Sequence, residues 1–116
     1  MPYVDGFVIP VPTKQIGSYQ KLARKAGKLW REHGALDYRE CVVDDVDVKG
    51  MVPFPKLAKA KPGETVVFAW ITYNSRKHRD QVNAKVLADP RMAKMADEPM
   101  PFDCKRMAYG GFKVLV

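Results

Sequence analysis

Hydrophobic positions along this chain switch between two periods, and the switches mark its elements. From Tyr3 to Val11 apolar residues occupy both parities, and Pro10 and Pro12 close the run, which predicts a first strand. From about Lys14 to His33 the apolar set becomes Ile16, Tyr19, Leu22, Ala23, Ala26, Leu29, Trp30 and His33, the i, i+3, i+4, i+7 spacing of one helix face. Lys21, Arg24, Lys25, Lys28 and Arg31 fall on the opposite face. Thr13 is positioned to cap the start of this helix, and Gly34 to take the left-handed conformation that ends it. Leu36 to Val43 reads as a second strand of mixed polarity, as expected near a sheet edge.

Residues 44 to 65 make a long connection rich in Asp and Pro, with one helical turn expected at Phe54 to Ala58. Pro62-Gly63 suits the two central positions of a type II turn. Val66 to Tyr73 is almost wholly apolar and predicts a central strand covered on both faces. Ser75 can cap a helix running to about Leu87, with an inward stripe of His78 (or Arg79), Val82, Val86 and Leu87. Pro90 lies just beyond its stop, and Met92 and Met95 suggest a further short helical turn. Residues 97 to 103 are loop. Met107 to Val116 is the last strand, where Gly110-Gly111 marks a bulge or a close backbone approach.

The order strand, helix, strand, strand, helix, strand is the ferredoxin-like βαββαβ pattern, an α+β fold in one domain over residues 1–116. It predicts a four-stranded antiparallel sheet with both helices on one face. Small Val4, Gly6 and Val8 are expected to face the helices, leaving Tyr3, Asp5, Phe7 and Ile9 on the other side. On the third strand Val67, Ala69 and Ile71 suit the helices, leaving Phe68, Trp70 and Thr72 opposite. The last strand adds Met107 and Tyr109 to that open face. So apolar a face predicts a partner surface, and two such sheets face to face would form a closed homodimer.

Several runs also resemble one family. They are Tyr3-Val4-Asp5-Gly6-Phe7-Val8-Ile9-Pro10-Val11-Pro12, the stretch from Ala26 to Leu36, and Glu64-Thr65-Val66-Val67-Phe68-Ala69-Trp70-Ile71. Arg76-Lys77-His78-Arg79-Asp80, Val82-Asn83-Ala84-Lys85-Val86, Met100-Pro101-Phe102-Asp103 and Lys105-Arg106-Met107 extend the likeness over essentially the whole chain. These runs resemble the YbaA-like bacterial family of unknown function. The resemblance implies a dimeric α/β barrel built from two ferredoxin-like subunits, and supplies no reaction.

Composition narrows the classes of function. No apolar run approaches the roughly 20 residues needed to span a bilayer. The first residues lack the charged and apolar regions of a signal peptide, so a reducing cytoplasm is expected for Cys41 and Cys104. Two Cys and two His without close spacing do not make a metal pattern, and nothing calls for a cofactor. Haem would want a well-placed axial His, whereas His33 and His78 both fall on helices. The net charge of +7 raises the question of a polyanionic partner, but the basic residues are scattered.

Asp5 is the candidate catalytic group. A carboxylate in mid-strand between Tyr3 and Phe7 needs a partner, or its pKa rises and it becomes an acid or base. Pairing with Arg39 or Arg106 is the structural alternative. Phe7, Phe68, Trp70 and Tyr109 are candidate ligand-stacking residues, or equally a dry dimer core. Arg76, His78 and Arg79 open a helix and form a candidate anion-binding cluster, the alternative being a solvated basic start offset by Asp80 and by Asp44, Asp45 and Asp47. On the second strand Tyr38 and Glu40 share one face, Arg39 and Cys41 the other, and parity alone does not choose which faces the pocket. Cys41 is expected to be a buried, inert thiol, and His33 to cap its helix.

Three functions compete. The first is a homodimer with a small-molecule pocket in the barrel, binding or transforming an aromatic or enolisable compound. The second is RNA binding on an open sheet with exposed aromatics, for which Tyr109-Gly110-Gly111-Phe112 is only a faint echo of the usual motif. The third is a non-catalytic regulatory or scaffolding dimer.

Overall fold

The two long apolar runs lie side by side at the centre of the sheet. A computed structural model describes all residues 1–116. Its elements are β1 (Tyr3–Pro12), a 3-10 turn (Thr13–Gln15), α1 (Ile16–Glu32), β2 (Asp37–Val42) and a single-turn α2 (Phe54–Leu57). There follow β3 (Glu64–Tyr73), α3 (Arg76–Ala88), α4 (Pro90–Ala96), a second 3-10 turn (Cys104–Arg106) and β4 (Ala108–Lys113). All neighbouring strands are antiparallel, in the order β2-β3-β1-β4. This is the ferredoxin-like βαββαβ subunit, with α1 and α3 as its two main helices. No helix is long and apolar enough to cross a membrane.

Local chemistry explains the boundaries. The Ser75 hydroxyl accepts from the His78 backbone N–H at 3.1 Å, so α3 is capped as expected. Thr13 does not cap α1. It sits in the 3-10 turn, and its N–H donates to the Gly63 carbonyl at 2.9 Å, joining the start of the helix to the turn before β3. Gly63 and Gly34 both have positive φ, at 84° and 115°, which a side chain would resist. Val82 and Val86 are buried, but Leu87 lies a further 100° round the helix and points to solvent. The last strand is shorter than expected, ending at Lys113. Its glycines do mark a close approach: a Cβ at Gly111 would collide with the Tyr3 ring.

The face assignment for β1 is reversed. Asp5 stands opposite Ile71, Tyr3 opposite Tyr73 and Phe7 opposite Ala69, and partners directly across a ladder share a face. Ile71, Tyr73 and Ala69 pack under the helices, so Tyr3, Asp5, Phe7 and Ile9 lie there too. Val4, Gly6 and Val8 share the open face with Phe68, Trp70 and Thr72. The small residues answer a different need. A Cβ at Gly6 would sit 3.1 Å from the Phe112 ring, so Gly6 makes room for an aromatic lying across the open face.

Candidate ligand-binding site

Between the sheet and helices α1 and α4 lies a cavity of about 260 Å³. Phe7 and Ile71 form part of its floor, Ala26 and Trp30 of α1 one wall, and Met92 and Met95 of α4 another. Met100 and Phe102 on the loop after α4 border it as well, with Phe102 edge-on to Tyr19 at 5.5 Å between ring centroids. Every lining side chain except Arg39 and Glu40 is hydrophobic. An apolar cavity of about 150 Å³ suffices for a benzene ring, so this one suits a somewhat larger ring compound. Its methionines are unbranched and polarizable, which lets the walls adapt to an irregular guest.

The polar end of the cavity is a carboxylate clasped by two phenols. Glu40 Oε1 accepts from the Tyr19 hydroxyl and Oε2 from the Tyr38 hydroxyl, each at 2.6 Å. Register brings them together. Tyr38 and Glu40 lie opposite Ile71 and Ala69, which turns both toward the helices, and Tyr19 descends from α1. A Cβ at Gly27 would lie only 2.8 Å from the Tyr38 ring, so glycine is what allows α1 to approach β2 so closely. Burial and the neighbouring Glu40 charge push both hydroxyls above the usual tyrosine range. They remain neutral donors, and Glu40 remains the acceptor.

The residues singled out from the sequence divide between the two faces. Asp5 is buried on the helix side, and its Oδ1 accepts from Arg79 Nη1 at 2.6 Å rather than from Arg39 or Arg106. Those two arginines pair instead with Asp37 and Glu64. Burial raises the Asp5 pKa despite the opposing effect of Arg79. Arg79 also donates to the Tyr109 hydroxyl at 2.9 Å and to Asp80 at 2.8 Å, and its guanidinium lies over the Tyr3 ring. Phe7 and Tyr109 stack at 5.0 Å on this side, so they do not join Phe68 and Trp70, which remain on the open face.

The cationic start of α3 does not converge on an anion site. Arg79 turns inward, Arg76 is exposed, and His78 Nδ1 accepts from the Asn74 backbone N–H at 3.0 Å. Of the acidic residues expected to offset it, Asp80 does so. The expected capping position of His33 is found at the end of α1, where Nε2 bonds Asp89 Oδ2 at 2.8 Å and ties that end to the start of α4. Cys41 is exposed on the open face instead of buried, because it lies opposite Phe68 on an edge strand.

Comparison with known proteins fits this architecture. The profile of a family described as "Protein of unknown function (DUF1428)" matches residues 2–104. The chain belongs to this family. It is also 46% identical to the Escherichia coli K12 protein called "Uncharacterized protein YbaA", over all of this chain and 98% of that one. A Shigella flexneri protein of the same name matches equally. Among solved structures, an uncharacterized NIPSNAP domain protein from Burkholderia xenovorans superposes with a TM-score of 0.62 at 12% identity, covering 97% of this chain and 93% of that one. A putative antibiotic biosynthesis monooxygenase from Nitrosomonas europaea gives 0.56 at 14% identity, covering 98% and 90%. At such identities the likeness concerns the fold.

For this DUF1428 member, sequence reasoning passed over Tyr19 and the α4 methionines as site residues. Tyr19 read simply as one of the apolar positions of α1. The signal that would have found the site is the cross-strand register, which puts Tyr38 and Glu40 on the helix side opposite Ile71 and Ala69.

Proposed function

We propose that the chain is a small-molecule-binding protein that holds a ring compound in the cavity between the sheet and helices α1 and α4. The observation carrying this reading is an apolar space of about 260 Å³ with a single polar end, Glu40 held by Tyr19 and Tyr38. Sites of this kind combine hydrophobic walls with a few placed polar groups, and the walls supply most of the affinity. The subunit works as a homodimer, its open sheet faces covering one another. Phe54, Phe68 and Phe112 are 44%, 42% and 60% exposed on or beside that face, an apolar surface that calls for a cover.

Calorimetric titration with 2-naphthylmethanol tests the pocket. Wild-type protein binds it, and Ala26→Leu, which fills the α1 wall, weakens binding at least about tenfold, roughly 1.4 kcal/mol. Circular dichroism confirms that the variant is folded. Equal binding by wild type and variant would place the compound elsewhere and refute the reading.

A further inference from the structure

Of the five aspartates and glutamates that are not exposed, four have a basic partner. Asp5 pairs with Arg79 at 2.6 Å, Asp37 with Arg39 at 3.2 Å, Glu64 with Arg106 at 2.6 Å, and Asp89 with both His33 and Arg91. Glu40 alone has no cation within 4.0 Å. This happens in a chain with 20 Lys and Arg against 13 Asp and Glu, where basic partners are plentiful. The nearby cations are engaged or solvated. Arg39 also borders the cavity, but its guanidinium turns to Asp37 and its side chain is 60% exposed. Arg31 donates to the Tyr38 carbonyl at 2.7 Å; it, Arg24 and Lys28 are exposed along the open groove between α1 and β2 that reaches Glu40 from outside, and none of the three lines the cavity.

The uncompensated charge stands among aromatic rings. Tyr19 and Tyr38 flank the carboxylate, Trp30 lies 6.3 Å from Tyr38 between ring centroids, and Phe102 packs on Tyr19. Aromatic faces attract organic cations, and a carboxylate in apolar surroundings gains most from a countercharge. Each phenol occupies one oxygen of Glu40, and a carboxylate offers about four acceptor positions, so it has capacity for one more donor.

From this juxtaposition we infer that the cavity binds an organic cation, an amine or ammonium group carried on a ring, with Glu40 as its counter-ion and Tyr19, Tyr38 and Trp30 as its aromatic walls. The inference rests on the cavity reading above and adds the charge of the ligand. The phenols fix the carboxylate in place before the ligand arrives, so little side-chain ordering remains at the moment of binding. An anionic ligand in the cavity would meet Glu40 with no cation within 4.0 Å to neutralise it, and repulsion disfavours it.

Three probes sharing one ring separate charge from shape: 2-naphthylmethylammonium, 2-naphthylmethanol and 2-naphthoate, titrated by calorimetry at neutral pH into wild type and Glu40→Gln. Wild type is expected to bind the ammonium at least about tenfold tighter than the alcohol, with the carboxylate weakest. In Glu40→Gln, whose amide still accepts from a phenol, the ammonium should lose its advantage and bind within about threefold of the alcohol. If wild type binds the alcohol or the carboxylate as tightly as the ammonium, the cation assignment is overturned and the cavity reading survives. A preference for the ammonium that persists in Glu40→Gln overturns Glu40 as its source. If none of the three binds, both readings fall.

Discussion

Replacing Arg79 by methionine isolates what Asp5 does in this protein. Asp5 is 1% exposed, its partner guanidinium lies 2.6 Å away, and the Arg79 side chain is 12% exposed. Methionine fills much of the same volume but leaves the carboxylate without its charge partner. Breaking a buried pair on one side costs about 3–5 kcal/mol. The double variant Asp5→Asn with Arg79→Met removes the stranded charge, and should lose less than the two single variants together by about 1–3 kcal/mol. Urea unfolding measures all four proteins.

The pH dependence carries an independent sign. Burial already raises the Asp5 pKa above its ordinary 3.8, and loss of Arg79 removes an influence that opposes the rise. A carboxyl with a raised folded pKa stabilises the fold most below its unfolded value, and that contribution disappears as pH rises through the folded value. The deficit of Arg79→Met should therefore shrink as pH falls from 7 toward 4. A deficit below about 1 kcal/mol, or one that widens in acid, would refute the assignment of Asp5 to a structural pair.

Three further outcomes follow from other parts of the molecule. Gly27→Ala puts a Cβ 2.8 Å from the Tyr38 ring, and should lower stability by about 1–3 kcal/mol in thermal unfolding. The Arg106 guanidinium holds the Glu64 carboxyl down at about 2 from an ordinary 4.5, so the stability it provides is complete above pH 4.5 and is lost as pH falls toward 2. Arg106→Gln should flatten that part of the acid unfolding curve. Phe68→Glu charges the centre of the open face and should convert a dimer to a monomer in light scattering; an unchanged dimer would place the subunit interface elsewhere.

Much of the fold was legible because local rules agreed with tertiary ones. The spacing of Ile16, Tyr19, Ala23, Leu29 and Trp30 could only serve one helix face, and Ser75, Gly34 and Gly63 carried their own conformational signals. The face of β1 was not legible. A period of two sorts residues into two sets without saying which set meets the helices, and in β1 both sets are apolar. Residue size then misled, since Gly6 is small to admit Phe112 from the open side. One cross-strand pair, Asp5 with Ile71, would have decided it. The partner of Asp5 was hidden for a similar reason: Arg79 is 74 positions away and reaches it only once α3 lies over β1. Cys41 read as buried by residue type, whereas its edge strand leaves it in solvent.

The central claim is that the ligand site lies inside the subunit, under the helices, and not on the open sheet face. The most direct measurement is a crystal soaked with 2-bromonaphthalene and examined by anomalous diffraction. A bromine peak between Trp30, Met92 and Phe102 is the predicted result. A peak confined to the surface of Phe68 and Trp70, with the interior cavity unchanged, would contradict it.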